Sequence, residues 1–239
     1  MTGELSTSAR AFDGIVEVRI SLDVDGERVP GVLFMAEGLD EPSPLVFIQH
    51  PATSSKDDFF VRDPSMLWCR RGWICAGFDA PYHGDRDDHD PMSVFQGERR
   101  EQVVAQFGRE LSCLADALID AYPVDPGRLG YVGYSMGSML GVPAVARDGR
   151  FKAAAFCLVG EGGMVGPADG DESVIPLLER VAVRIVGKES DELIPKARTE
   201  SLYNALPGEK DIVWLPGGHY TIGPDVIDAA GSWMAAKLG

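Results

Sequence analysis

Six short apolar runs, Leu45 to Gln49, Trp73 to Phe78, Arg128 to Gly133, Ala153 to Val159, Val181 to Val186 and Asp211 to Leu215, alternate along the chain with segments of helical period. Runs this short and this continuously apolar predict strands covered on both faces, because a strand with one wet face shows a polar residue at every second position. The helical segments between them are Pro64 to Arg71, Gln102 to Tyr122, Ser138 to Arg147, Pro195 to Leu206 and Asp225 to Leu238. Strand and helix in regular alternation predict an α/β fold with a mostly parallel sheet, right-handed crossovers and helices on both faces. Ahead of this pattern, Ile15 to Met35 alternates apolar and polar residues around Asp25-Gly26, a dipeptide suited to a tight turn, so an antiparallel hairpin opens the fold. The expected sheet has roughly eight strands. A chain of 239 residues is expected to form one domain, 1–239.

A formal charge of −15 and the lack of any basic run argue against nucleic acid or an anionic membrane surface as partner. The N-terminal Met-Thr-Gly-Glu-Leu-Ser-Thr is no charged segment followed by an apolar core, and no apolar stretch approaches the ~20 residues of a membrane span. Cys69, Cys75, Cys113 and Cys157 lie in apolar surroundings without metal-ligand spacing, as reduced, buried thiols do. A cytoplasmic protein is expected; its oligomeric state leaves no mark on the sequence.

The run Arg128 to Gly133 leads directly into Gly133-Tyr134-Ser135-Met136-Gly137 and then into a helical segment. The G-x-S-x-G spacing between a strand and a helix is that of a nucleophile elbow, in which a serine sits on a sharp, strained turn. Side chains two residues to either side would strike the neighbouring strand and helix, and glycines remove them. The turn lifts the Ser135 hydroxyl above the sheet and sets the Met136 amide at a helix N-terminus, where it can meet a developing oxyanion. Gly141 and Pro143 fall inside the following helix, which is therefore expected to be kinked or short.

A serine hydroxyl is a weak nucleophile near neutral pH and needs a base, which in turn needs an acid to hold its tautomer. Val181 to Val186 runs into Gly187-Lys188-Glu189-Ser190-Asp191-Glu192-Leu193-Ile194-Pro195, and the last strand runs into Pro216-Gly217-Gly218-His219-Tyr220. Ser135, Asp191 and His219 thus stand in the chain order Ser, Asp, His. Glu189 competes with Asp191 for the acid position.

With these residues the chain resembles the α/β-hydrolase superfamily, and within it the small serine carboxylesterases of the dienelactone-hydrolase-like and prolyl-oligopeptidase-like group. The acid loop Gly187 to Pro195, the terminal Gly217-Gly218-His219 and the loop Asp79-Ala-Pro-Tyr-His-Gly-Asp-Arg86 are similar to those of the group, and the likeness runs from about Val16 to the C-terminus. It implies an α/β-hydrolase fold with a minimal cap and a serine hydrolase that cleaves small to medium carboxylic esters through an acyl-enzyme. It implies no cofactor and no metal. It also places an oxyanion turn in Leu45-Val-Phe-Ile-Gln-His-Pro-Ala-Thr-Ser-Ser-Lys56, where Ala52 would give the second donor beside Met136. Here Pro51 stands where glycine is usual, so Thr53 is the alternative. A serine nucleophile sets the chain apart from the branches that use aspartate and from the dienelactone hydrolases proper, which use cysteine. Acyl transfer or perhydrolysis on the same triad, and ligand binding without turnover, are the other readings.

Tyr134, which flanks the serine, and Met164 and Val165, in the segment Glu161 to Glu172, are candidate substrate contacts. The stretch 161–180 is too short for a large helical lid, so a shallow, open site is expected. His83 and His89 among Asp85, Asp87, Asp88 and Asp90 have no zinc-motif spacing and read as a solvated acidic loop, while His50 reads as structural.

Overall fold

In the computed structural model, which describes residues 5–166 and 173–239, nine strands form one sheet in the order β1-β2-β3-β5-β4-β6-β7-β8-β9. The strands are β1 Ser6–Phe12, β2 Ile15–Val24, β3 Glu27–Ala36, β4 Ser43–Gln49, β5 Ile74–Phe78, β6 Val124–Tyr134, β7 Phe151–Cys157, β8 Ala182–Lys188 and β9 Lys210–Leu215. The helices are α1 Phe59–Cys69, α2 Arg99–Ala121, α3 Met136–Asp148, α4 Lys196–Ala205 and α5 Pro224–Leu238. From β1 to β5 the pairing is antiparallel through β3, and from β5 onward it is parallel.

Two cores flank this sheet, and single strands divide their residues between them. Leu45 and Phe47 of β4 pack with α2 and α3, whereas Val46 and Ile48 pack with α1 and α5. That alternation inside a continuous apolar run is the period of two expected of a strand buried on both sides. In α2, Val103, Phe107, Leu111, Leu114 and Leu118 recur every three or four residues and form the buried stripe.

The ninth strand departs from the sequence expectation. β1 is exposed almost throughout, so it shows no apolar alternation, and it pairs with β2 through a turn at Asp13-Gly14 whose φ angles are 51° and 71°. The Asp25-Gly26 turn has the same left-handed pair, 56° and 85°. The helix α3 is not short: it runs over 13 residues through Pro143. Ten of those residues are buried, and a side chain at Gly141 would strike the Tyr131 ring, so tertiary packing holds the segment helical where the local sequence opposes it. Among the described residues no helix is long and apolar enough to cross a membrane.

Glu17 of β2, only 1% exposed, gathers three arginines: Arg62 of α1 at 2.8 Å, Arg10 of β1 at 2.8 Å and Arg19 at 3.2 Å. Hydrogen bonds from Arg62, and then from Arg10, hold its carboxyl down from 4.5 to about 2, against the cost of burial. A depressed carboxyl contributes stability above its unfolded value and loses it as the pH falls through the folded one. Glu17→Gln is therefore expected to be less stable by on the order of 2 kcal/mol at pH 7, discounted for the solvent that reaches Arg10. The difference should vanish between about pH 4.5 and pH 2 in urea titrations; a gap independent of pH would show that the cluster contributes only packing.

Candidate active site

β5 lies on one side of β4 and β6 on the other, so the chain reverses its winding direction at β4. Crevices at the carboxyl ends of strands at such a point are where open α/β sheets place ligands. The end of β6 carries Ser135 as the N-cap of α3, with φ 51° and ψ −110°, a conformation that costs a non-glycine residue on the order of 1–3 kcal/mol. The turn is sharp enough that a Cβ at Gly133 would lie 2.6 Å from the backbone of Gly137, and one at Gly137 2.5 Å from the Gln49 carbonyl oxygen. Neither position has room for a side chain. The Ser135 amide donates to the Cys157 carbonyl at 2.9 Å, and the Ser138 hydroxyl lies 2.6 Å and 2.8 Å from the carbonyls of Gly133 and Cys157. The strained turn is thereby pinned to β7.

Two further loops bring their side chains to this hydroxyl. Nε2 of His219 lies 2.8 Å from Ser135 Oγ, and Nδ1 lies 2.9 Å from Asp191 Oδ2 and 3.0 Å from Oδ1. The Asp191 carboxylate also accepts the amides of Leu193 at 2.9 Å and Ile194 at 2.7 Å, which fixes its plane. An imidazole that donates Nδ1–H to a carboxylate keeps its Nε2 lone pair for the hydroxyl. Hydroxyl, imidazole and carboxylate are thus connected in the order a proton relay requires. Both side chains are shielded, His219 at 6% and Asp191 at 4% exposure, whereas Glu189 is exposed and makes no side-chain hydrogen bond to His219.

The two loops are tied to each other. The Ser190 amide donates to the Gly217 carbonyl at 3.1 Å, and Glu192 Oε2 accepts the His219 amide at 2.9 Å. Beneath them, buried Lys188 bonds the Pro216 carbonyl at 3.1 Å and Asp225 of α5 at 2.7 Å. Sequence reasoning passed over Glu192, Lys188 and Ser138; the signal for the first was the Gly217-Gly218 pair facing an acid-rich loop.

The turn after β4 abuts the first turn of α3, since the space beside Gly137 is taken by the carbonyls of Gln49 and His50. Thr53, in that turn, has φ 60°, and the Met136 amide, at the first position of α3, has no acceptor within its own helix. His50 secures that turn: Nδ1–H donates to the Pro51 carbonyl at 2.8 Å and Nε2 accepts the Ala80 amide at 3.1 Å. Complete burial pushes His50 down to about 4, so it is neutral at pH 7. His83, 5.3 Å away ring to ring, is also buried and also lowered, chiefly by desolvation.

The loop from Asp79 is less solvated than its composition suggests. Asp79 is fully buried, accepts the Lys56 and Asp85 amides and pairs with the Lys56 ammonium at 2.9 Å; a Cβ at Gly84 would occupy the place of its carboxylate. Arg86 is buried against Glu110, while Asp87, Asp88, His89 and Asp90 are exposed. No group of three His, Cys, Asp or Glu side chains set to hold a metal occurs among the described residues.

The candidate substrate contacts are all buried. Tyr134, the last residue of β6, is fully buried in the core beneath α1 and α5, 6.0 Å from the Phe60 ring. Met164 and Val165 are buried in the other core, and Met164 lines a cavity of about 750 Å³ with Val104, Pro143 and Arg147, to which Ser135, Asp191 and His219 contribute nothing. Of the candidate cap, 167–172 lie outside the described residues.

No protein-family model and no curated protein matches the chain. Among solved structures, it is similar to a cold-adapted esterase from an Arctic intertidal metagenomic library, with TM-score 0.83 and 24% identity over 99% of this chain and 100% of that one. It is similar to the acetyl xylan esterase of Paenibacillus sp. R4, with TM-score 0.77 and 17% identity over 98% and 89%. A putative dienelactone hydrolase from Klebsiella pneumoniae aligns with TM-score 0.74 and 20% identity over 93% and 99%. These likenesses establish the α/β-hydrolase fold.

Proposed function

We propose that this chain is a serine hydrolase that cleaves small carboxylic esters through an acyl-enzyme, with Ser135 as nucleophile, His219 as base and Asp191 as its orienting acid. The observation that carries the reading is the continuous contact from Ser135 Oγ to His219 Nε2 at 2.8 Å and from Nδ1 to Asp191 at 2.9 Å, on a backbone strained to present that hydroxyl. Esterases among the structural neighbours support it.

In the first half-reaction Ser135 Oγ bonds to the ester carbonyl carbon while its proton passes to Nε2, and the tetrahedral oxyanion accepts the Met136 amide and one amide of the Ala52-Thr53 turn. Nε2 then returns the proton to the leaving alcohol oxygen as its bond to carbon breaks. Water repeats the sequence on the acyl-enzyme and releases the acid. Asp191 stabilises the transient imidazolium without taking its proton. No cofactor enters this scheme, and four free cysteines support a reducing, cytoplasmic setting.

Turnover of p-nitrophenyl acetate, together with labelling by a fluorophosphonate, tests the reading. The expected result is one label per chain on the peptide carrying Ser135, with hydrolysis lost in proportion. Binding without turnover would favour a receptor, and turnover that survives full labelling would remove Ser135 from the chemistry. Product analysis with added alcohol or peroxide separates hydrolysis from acyl transfer.

A further inference from the structure

We infer that Glu192 is a positioning residue for His219: its carboxylate occupies the space left by the missing side chain of Gly218 and holds the histidine's own backbone amide. The inference deepens the triad reading and rests on it.

Besides the Lys188 bond to the Pro216 carbonyl, three residues of the acid loop reach the segment Gly217 to His219, and they act on different atoms. Asp191 meets the imidazole ring, and Ser190 meets the Gly217 carbonyl two residues before the histidine. Only Glu192, at 2.9 Å, takes hold of the backbone from which the His219 side chain springs. The direction of the Cα–Cβ bond at residue 219 depends on that peptide plane, and a small rotation there is magnified at Nε2, at the far side of the ring. Thr221 closes the other side, with its amide and hydroxyl both directed at the Gly218 carbonyl at 3.1 Å and 2.7 Å.

Gly218 makes the arrangement possible. A Cβ built there would lie 2.4 Å from Glu192 Oε2, so any side chain at 218 evicts the carboxylate. The φ of Gly218 is not in the left-handed region, unlike that of Gly217 at 100°, so an alanine is conformationally acceptable at this position. Of the other atoms near that Cβ, Glu192 Cδ moves with the carboxylate, and the Ser190 carbonyl oxygen, at 3.3 Å, has to give by only a few tenths of an ångström. The severe clash at 218 is therefore with the glutamate carboxylate.

This gives a double-mutant cycle with a distinctive sign. Glu192→Ala should lower kcat for p-nitrophenyl acetate by about 10- to 100-fold with KM within about twofold, since displacing a base by ~1 Å costs on this order. The rate of fluorophosphonate labelling at Ser135 should fall in parallel. Glu192→Gln keeps an acceptor oxygen and should recover most of the loss. Gly218→Ala should reproduce the Glu192→Ala defect by evicting the carboxylate, and the double variant should be no slower than either single one, because the same bond is lost in each. An unchanged kcat in Glu192→Ala, a loss confined to KM, a Gln variant as slow as the Ala variant, or single effects that multiply in the double variant would each overturn the inference. Should Glu192→Ala fail to fold, Gly218→Ala and Glu192→Gln decide the question alone. Ser135→Ala, run alongside, separates the two levels: turnover surviving that change defeats the triad itself, whatever the Glu192 variants do.

Discussion

Ser135→Ala is expected to lower kcat for a short ester by about 10⁴- to 10⁶-fold, the size of loss seen when a serine nucleophile is removed from an intact triad. What remains is catalysis by the oxyanion donors alone, whose position does not depend on the hydroxyl. KM should change little, because the serine contributes chemistry rather than binding. Stability separates this substitution from its neighbour. Alanine retains the Cβ and with it the left-handed strain at φ 51° and ψ −110°. Ser135→Gly removes both, and should raise the unfolding free energy by about 1–2 kcal/mol while abolishing turnover as completely as alanine does. Paired ester assays and urea titrations on the two variants measure both quantities. If glycine brought no stability, the backbone at 135 would not be held under tension, and if alanine retained turnover, the hydroxyl would not be the nucleophile.

The largest loss of stability is expected from breaking the buried pair between Arg86 and Glu110. Arg86 spans the fold's interior: it meets both Glu110 oxygens at 3.0 Å and 2.5 Å, the Asp79 carbonyl at 2.8 Å and the Arg28 carbonyl at 3.0 Å. Arg86→Met leaves the Glu110 carboxylate 1% exposed, with Gln106 at 2.9 Å as its remaining donor. Removing one member of such a pair costs about 3–5 kcal/mol, chiefly because the other charge stays buried. Burial already raises the Glu110 carboxyl above its ordinary value, even with the guanidinium in place. A raised carboxyl contributes most below its unfolded value and loses that contribution as the pH rises through the folded one. The deficit of Arg86→Met should therefore be greatest at alkaline pH and shrink as the pH falls toward the ordinary carboxylate range. Arg86→Met with Glu110→Leu should recover a large part of it, since no charge is then stranded. A deficit that ignores pH, or a double variant as weak as the single one, would place the cost in lost packing and carbonyl contacts instead.

How much of this was legible in the sequence follows from how each residue meets water. Strands β4 to β9 betray themselves as apolar runs because helices cover both faces, whereas β1 lies on the surface and has no buried side to write into its residues. The loop order of Ser135, Asp191 and His219 could be read because each follows a strand, and strand ends converge on one edge of a parallel sheet. Spacing alone did not separate Asp191 from Glu189; the separation comes from the Asx turn that Leu193 and Ile194 make around the former. Tyr134 is a candidate contact by its adjacency to the serine, and its ring is buried in the core beneath α1 and α5. Met164 and Val165 were assigned to the site because the chain after β7 was the obvious source of a cap. Its described part instead packs down against α2 and α3, and nothing local in Glu161 to Gly166 announces that direction.

The proposed nucleophile and its proposed base are anchored very unequally. Ser135 springs from a strand with neighbours on either hand, deep in the middle of the molecule, while His219 follows β9, one of the sheet's two edge strands, each of whose residues is partly open to solvent. Heat or denaturant frays a sheet from its rim inward. On the proposed reading, activity is expected to be lost when that border loosens by about an ångström, before the centre melts, and to return on cooling without refolding of the core.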